Sequence, residues 1–406
     1  MNILREALVS IAPTQKDREV LTDVKKFLTR LQQELKLRRI NAKPVLGGSF
    51  AKDTWLAGDY DVDVFVTFDM SYKNDPLSDL LAKALKPWKT ERLHGSRDYF
   101  QIHGPINYEI IPVLAIKHAK QALNVTDFSP KHVAWVNTKG KKFKNDIRLL
   151  KKFCKAHRVY GAESYIRGFS GHVVDILTIY YSGFLKTLKA ATKWKDKTEL
   201  DYNNTYKGKA LFTLNTSKTQ GPLVLIDPVQ PDRNAAAALT KENFDTFIVG
   251  AKSFLKKQTI AAFTEKKTDI NALLAKKVPV VHITTLNEKE DVAGTKMVKA
   301  YDFLKKELSD FGVRDSGWEW DKKKHASLWF ALNKKDLPAT EQRMGPPKAM
   351  TESCAAFKKK YKNAKLVKGR MVAIVKRPIT NYKIAIREAL KHSYLKDKAS
   401  SYTASL

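Results

Sequence analysis

The sequence predicts an α+β protein of several domains, and three observations carry that reading. Short runs with apolar side chains at every second position lie between helical stretches up to about residue 140. From Lys144 onward the spacing becomes helical, and after Pro279 strand-like runs return. At 406 residues the chain has room for about two to four domains with cores of their own. We expect segments at 1–140, 141–256 and 257–406: mixed, helical, and mixed again.

The elements follow in order. Val20, Leu21, Val24, Phe27, Leu28, Leu31 and Leu35 recur at helical spacing over Thr14 to Arg38, and Pro13-Thr14 supplies a start signal. Pro44-Val45-Leu46 reads as a short strand entering Gly47-Gly48-Ser49, with a short helix starting near Phe50. The strand Asp61 to Phe68 follows, then a helix over Leu77 to Leu85 and a strand pair at Tyr99 to Ile102 and Asn107 to Val113. Asp146 to Phe153, Gly171 to Leu185 and Thr240 to Leu255 carry helical stripes, the last with Thr240 as a plausible N-cap. Val280 to Thr284 reads as a strand, Thr295 to Leu308 as a helix and Gly317 to Leu332 as a strand pair. Pro346 to Tyr361 and Asn381 to His392 read as helical, and Lys398 to Leu406 as frayed.

Composition narrows the setting. No apolar run approaches membrane-spanning length and the N-terminus lacks a signal-peptide pattern, so we expect a cytoplasmic protein. Cys154 and Cys354 are too few for a disulfide framework, and Cys154 sits in an apolar helical stripe where a buried role suits it. The formal net charge is +32. Lysines can simply solvate a surface, but a polyanionic partner accounts better for such an excess, because neutralised phosphates release counterions.

The richest stretch runs from Gly47 to Val66. On a strand, Asp61 and Asp63 project to one face while Val62, Val64, Val66 and Phe68 turn to a core. Two carboxylates side by side repel each other and need a counter-ion. Mg²⁺ is the natural one, a hard cation that favours carboxylate oxygen and accompanies phosphates. Glu109, an acid inside the apolar run Tyr108 to Val113, is the candidate third ligand; a salt bridge to a lysine is the plainer alternative. Pro112 lacks a ladder donor, which predicts that this strand is an edge or ends there. Gly48, Ser49 and Lys52, in the turn and its short helix, are candidates for contact with a triphosphate. These residue types together point to metal-dependent chemistry on a nucleoside triphosphate.

The pattern Gly-Ser, then Gly-(x)2-Asp-x-Asp, resembles the polymerase-β-like nucleotidyltransferases, and the full run from Gly47 to Asp63 resembles the archaeal-type (class I) CCA-adding enzymes. Arg148-Leu149-Leu150-Lys151, Val159-Tyr160-Gly161-Ala162-Glu163, Arg167-Gly168-Phe169-Ser170-Gly171, Asp227-Pro228-Val229 with Asp232-Arg233-Asn234, and Gly345-Pro346-Pro347 resemble that family in order and rough spacing. The resemblance implies a nucleotidyltransferase head at 1–140, a helical neck at 141–256 and a tRNA-binding body and tail at 257–406. It implies template-independent addition of C, C and A to tRNA from CTP and ATP, with Mg²⁺ on Asp61, Asp63 and Glu109. Ser49, Lys151 and Tyr160 would contact the triphosphate, Ser129 and His132 the sugar and phosphates, and Arg233 would help to read CTP or ATP. From the residues alone, Lys151 reads as a solvated helix lysine, Tyr160 as a core-edge aromatic and His132 as a packed histidine.

Two departures stand out. Glu109 replaces the usual aspartate, and Phe128 stands where Asp127-Phe128-Ser129-Pro130-Lys131-His132 would normally carry an arginine. His94 is a candidate for a histidine expected shortly before the third carboxylate.

In the C-terminal part, Trp318 and Trp320 with Lys322 to Lys324, and later Lys358 to Lys360 with Lys362, set aromatics beside positive charge. That suits the acceptor and T arms of a tRNA, read by backbone and shape; a homodimer is a candidate assembly. A poly(A) polymerase or oligoadenylate synthetase would share the catalytic motif but not the segments at Tyr160 and Arg167. A basic RNA-binding protein with a decayed catalytic domain would be expected to lose its carboxylates first, and all three acids remain. If basic surface drives binding, log affinity for RNA should fall steeply with log salt in a filter-binding titration; a flat dependence would refute it.

Overall fold

Alternating burial organises the first sheet of the computed structural model, which describes residues 3–406, so the first two positions of the segment 1–140 lie outside the described residues. Its strands are β1 (Ala42–Leu46), β2 (Asp61–Phe68), β3 (Glu91–Leu93), β4 (Tyr99–Ile102) and β5 (Asn107–Leu114), in the order β1-β2-β5-β4-β3. β2 and β5 run parallel and the other neighbours antiparallel. Val62, Val64, Val66 and Phe68 are buried as the alternation requires. Phe65, on the opposite face, is buried too, because the backbone of Gly47 lies against its ring: a Cβ there would come within 2.7 Å.

Helices α1 (Ile3–Ile11), α2 (Gln15–Leu37), α3 (Gly48–Lys52) and α4 (Leu77–Ala84) accompany this sheet in sequence. Thr14 caps α2: its hydroxyl accepts from the Asp17 N–H while the Asp17 carboxylate accepts from the Thr14 N–H at 2.8 Å. Val24, Phe27, Leu31 and Leu35 then form one buried stripe, in a hydrophobic cluster with Val62, Val64 and Val66. The edge or strand end expected at Pro112 is met only locally, not for the strand as a whole. β5 is the middle strand of five. Proline is accommodated because β4 pairs only with Tyr108, Glu109 and Ile110 and stops before it, and Arg97 Nη1 donates to the Pro112 carbonyl at 3.0 Å.

A second cluster gathers Phe153, Phe169, Phe184, Phe247 and Phe254 with Ala7 and Ile11 of α1. Its helices are α5 (Ser129–Lys139), α6 (Lys144–Ala156), α7 (Gly171–Tyr180) and α8 (Phe184–Ala191), and later α11 (Lys241–Lys256); between them come the one-turn α9 (Ala210–Thr213), whose Ala210 packs in a smaller cluster with Val224 and Ile226, and the one-turn α10 (Thr216–Thr219). Thr240 caps α11 as expected, and Cys154 is fully buried. The helix expected to run unbroken from Gly171 to Leu185 divides instead, because Ser182 and Gly183 take φ values of 58° and 123°. Strands β6 (Thr198–Asp201) and β7 (Leu223–Ile226) pair in parallel beside these helices in sequence.

The chain forms two compact units, Met1–Lys266 and Lys267–Leu406. The second contains α12 (Ile270–Ala275), β8 (Val280–Thr284), α13 (Glu290–Glu307), β9 (Val313–Trp320), β10 (His325–Leu332), β11 (Thr340–Pro347), α14 (Thr351–Lys360), β12 (Lys365–Val367), β13 (Arg370–Lys376), α15 (Tyr382–Leu390) and β14 (Ser401–Ser405). Its sheets are ordered β14-β8-β10-β9 and β11-β13-β12. Trp318 and Trp320 lie half-buried on the same face of the edge strand β9. Lys322, Lys323 and Lys324 occupy the β9–β10 turn, where the Asp321 carboxylate accepts the N–H groups of Lys323 and Lys324, each at 2.8 Å.

Three expectations change here. α13 begins at Glu290 rather than near Thr295, with Glu290 and Asp291 placed where the positive end of the helix dipole favours acids. Gly345-Pro346-Pro347 closes a strand instead of opening a helix, since a register shift between Met344 and Pro347 removes the need for proline N–H donors. Residues read as frayed form β14, which pairs with β8 from Ser401 opposite Thr284 to Ser405 opposite Val280. Deleting residues 401–406 should therefore cost the C-terminal unit about 2–4 kcal/mol, at roughly 1 kcal/mol per net hydrogen bond. Amide exchange along β8 should accelerate; unchanged protection would show that β14 adds nothing.

Candidate active site

Parallel pairing of β2 and β5 sets Asp63 opposite Glu109 and Asp61 opposite Asn107. Residues in register on adjacent strands project to one face, so Asp61, Asp63 and Glu109 share it. Asn107 Nδ2 donates to Asp61 Oδ1 at 3.0 Å, and Gln101 Nε2 on β4 donates to Glu109 Oε2 at 3.3 Å. The turn is hooked to the same strand by the Gly47 N–H, which donates to the Asp63 carbonyl at 2.8 Å. Gly48 follows at φ +50°, where a Cβ would fall 1.5 Å from Asp63 Oδ2. No side chain fits between that turn and the carboxylate. Burial raises the Asp63 carboxyl above its ordinary range, with Lys52 and Lys151 opposing and Asp61 adding to the rise. An oxygen-only donor set, under strain from desolvation and like charge, fits a hard divalent cation.

A basic stripe stands beside this face. Lys144, Arg148, Lys151 and Lys155 recur at spacings of four and three along α6, and each engages residues 53–59 just after α3. Arg148 Nη2 meets Asp53 Oδ1 at 2.6 Å and its Nε donates to the Trp55 carbonyl at 3.0 Å. Lys144 reaches Asp53 at 3.3 Å, Lys151 donates to the Thr54 carbonyl at 3.0 Å, and Lys155 meets Asp59 at 2.6 Å. Lys151 is buried rather than solvated; burial first, then the neighbouring Lys52, pushes its ammonium down to about 8. Lys52 itself is paired with Asp175 of α7 at 2.5 Å, both side chains being largely shielded from water. Tyr160 lies with its hydroxyl against Gly171, and burial pushes its phenol up.

The remaining candidates gather elsewhere in the same unit. Ser129 opens α5 directly after the buried Phe128. The cation near this point is Arg97, whose Nη1 meets Asp127 Oδ1 at 2.5 Å. His132 Nε2 lies 3.0 Å, Arg233 Nη1 3.3 Å and His172 Nε2 3.4 Å from one oxygen, Asp227 Oδ2. Burial lowers the pKa of His132 despite Asp227. Burial alone would raise Asp227, but the adjacent His132 and His172 outweigh it and hold the carboxyl well below the usual range. His94 is exposed, with Nδ1 3.0 Å from Asp98 Oδ1.

Sequence alone assigned no role to Asp175, Asp227, His172 or Arg148. Asp175 had a signal: an acid between Val173-Val174 and Ile176-Leu177 must find a partner when its helix is buried.

With this geometry in place, the chain can be set beside known proteins. Residues 24–124 match the family model described as a nucleotidyltransferase domain, and residues 145–264 the one for the second domain of tRNA nucleotidyltransferase. The CCA-adding enzyme of Nanoarchaeum equitans is 35% identical over 308 residues, 74% of this chain and 76% of that protein. The chain belongs to the CCA-adding enzyme family. The Methanosarcina mazei member is 30% identical, over 94% of this chain and 88% of its own. The Pyrobaculum neutrophilum member is 29% identical over 97% and 94%. Among solved structures, a variant of the Cid1 poly(U) polymerase bound to MgATP superposes with a TM-score of 0.50 at 13% identity, over 65% of this chain and 98% of that one. At that identity the likeness is one of fold, the polymerase-β-like nucleotidyltransferase fold. Members of that superfamily work with divalent metals, and among the described residues no helix is long and apolar enough to cross a membrane.

Lys151 generates a pH prediction. Its pKa falls from 10.5 in the unfolded chain to about 8 in the fold. Between those values the unfolded state binds more protons, so stability rises with pH across that window. The melting temperature should climb over this range relative to Lys151→Met; parallel profiles would overturn the assignment.

Proposed function

We propose that this protein adds C, C and A in turn to the 3′ end of tRNA from CTP and ATP, releasing pyrophosphate. The observation that carries the proposal is Asp63 opposite Glu109 on adjacent parallel strands, with Asp61 on the same face and a side-chain-free turn beside them. Asp61, Asp63 and Glu109 would hold Mg²⁺, which when bound offsets triphosphate charge and makes the attacking hydroxyl more acidic. Glu109 reaches one methylene further than aspartate, and Gln101 on β4 steadies its tip.

The rest falls to the chain's own groups. The 3′ hydroxyl of the RNA gives up its proton to solvent, its oxygen bonds to the α-phosphorus of the nucleotide, and the α–β phosphoanhydride bond breaks to release pyrophosphate. Gly48 and Ser49 bring N–H and hydroxyl donors to the phosphates. Lys151 supplies a cation from a shielded position, where water screens its charge poorly. Tyr160 adds a neutral hydroxyl. Lys52 acts through its pair with Asp175, setting α3 against α7. Ser129 and His132 serve the sugar and phosphates, and Arg233 helps to read the base. On this reading 1–140 is the catalytic head, 141–256 the neck, and 257–406 the part that holds the acceptor and T arms. We further propose a cytoplasmic enzyme, with a homodimer as the candidate assembly.

The test supplies Mg²⁺ and tRNA lacking its 3′ triplet, with CTP, ATP, both or neither, and sizes the product. Two residues from CTP alone, and a third only with ATP, are expected. Asp61→Ala or Asp63→Ala should lower addition by at least ~10²–10³-fold, the cost of losing one group that stabilises transition-state charge, while tRNA is still bound. A long ladder from ATP alone would overturn the proposal in favour of a poly(A) or oligoadenylate polymerase. Near-normal turnover in either variant would overturn the metal assignment.

A further inference from the structure

The cluster of His132, His172 and Asp227 uses a different donor chemistry from the three carboxylates. Its ligand atoms all lie within 4.8 Å of one another. Asp227 Oδ2 stands 3.0 Å from His132 Nε2 and 3.4 Å from His172 Nε2. A tetrahedral cation with bonds of about 2.0–2.1 Å needs donor-to-donor edges of roughly 3.3 Å, close to both spacings. His132 Nε2 and both ring nitrogens of His172 are buried, and none makes a well-directed hydrogen bond in spite of that nearby oxygen. Buried polar atoms in this condition are costly, and an ion that accepts one lone pair from each imidazole, at Nε2, removes the cost at those two atoms.

We infer that His132, His172 and Asp227 form a second cation site, selective for zinc-class divalent ions. Two imidazoles and one carboxylate suit zinc, cobalt or nickel; magnesium prefers an octahedron of oxygens. The donors come from separate pieces of the fold: α5, the first turn of α7, and the residue after β7. The second oxygen of Asp227 is already fixed, accepting the Val229 N–H at 2.9 Å and the Gln230 N–H at 3.2 Å, so Oδ2 is aimed and the carboxylate cannot swing. One group opposes the ion. Arg233 Nη1 lies 3.3 Å from the same oxygen, but its side chain is 45% exposed and can withdraw into solvent. Cation and guanidinium therefore compete for one carboxylate oxygen.

Full-length protein in excess Mg²⁺ is titrated with Zn²⁺ by calorimetry, and with Co²⁺ by visible absorption, which reports coordination geometry. A single site per chain with an intense, tetrahedral-type cobalt spectrum is expected. His172→Gln should weaken Zn²⁺ binding by ~100-fold or more, since a direct ligand is worth at least the upper end of what an outer-shell partner contributes. Arg233→Ala should tighten it by about 10-fold, by removing the competitor. Asp61→Ala should leave Zn²⁺ affinity unchanged, which separates this site from the carboxylate face. A weak octahedral cobalt spectrum, or equal affinity in wild type and His172→Gln, would overturn the inference. If His172→Gln does not fold, the exposed Arg233 decides alone: tightening supports the site, and no change overturns it.

Discussion

A charge taken out of water has to be matched, and in the N-terminal unit the matching runs between α6 and the loop that follows α3. Arg148 and Lys151 are both buried, so each would be costly without its partners on residues 53–55. Lys144 and Lys155 extend the same grip at either end, to Asp53 and Asp59. Asp53, the residue that ends α3, is left-handed at φ 51° and receives cations from three positions, Arg18, Lys144 and Arg148. The loop between the glycine turn and β2 is thereby held at many points, and the turn inherits its position.

The acidic face depends on a different constraint. Parallel pairing keeps Asp63 and Glu109 in register, whereas a slip of one residue would send one of them into the hydrophobic layer. The cluster beneath the strands, from Val62 to Phe68 and against α2, penalises any such slip. Gly47 and Gly48 complete the arrangement from the side. One lies on the Phe65 ring and the other on the Asp63 carboxylate, and only residues without side chains can do both.

Much of this was legible from local pattern. The period of two along Asp61 to Phe68, the stripe of α2 and its Thr14 cap, and Thr240 before α11 were all open to reading, since each is decided by neighbours in sequence. What escaped was decided at long range. Strand β14 owes its order to β8, more than a hundred residues earlier, and its own short polar sequence carries little strand signal. The central place of β5 hid behind Pro112, because a proline says only which donor is missing and not where its neighbour strand stops. In the site, the three acids could be named from strand spacing and family likeness. The partners of Lys52 and His132 could not, as Asp175 and Asp227 lie 123 and 95 positions away (175 − 52 and 227 − 132).

The stripe on α6 has an evolutionary consequence. Its contacts are heterogeneous: guanidinium on carboxylate and carbonyl, ammonium on carbonyl, ammonium on carboxylate. The Asp53 and Asp59 side chains are therefore matched to particular cations, whereas the carbonyls of Thr54 and Trp55 depend only on the path of the backbone. Exchange of the sheet-bearing segment between distant homologues would bring a foreign loop to these cations, and a loop of another path would strand the buried charges of Arg148 and Lys151. The acids at 53 and 59, the backbone path between them and the cations of the helix 144–156 thus form one heritable piece, although 84 residues (60–143) separate loop and helix in the chain.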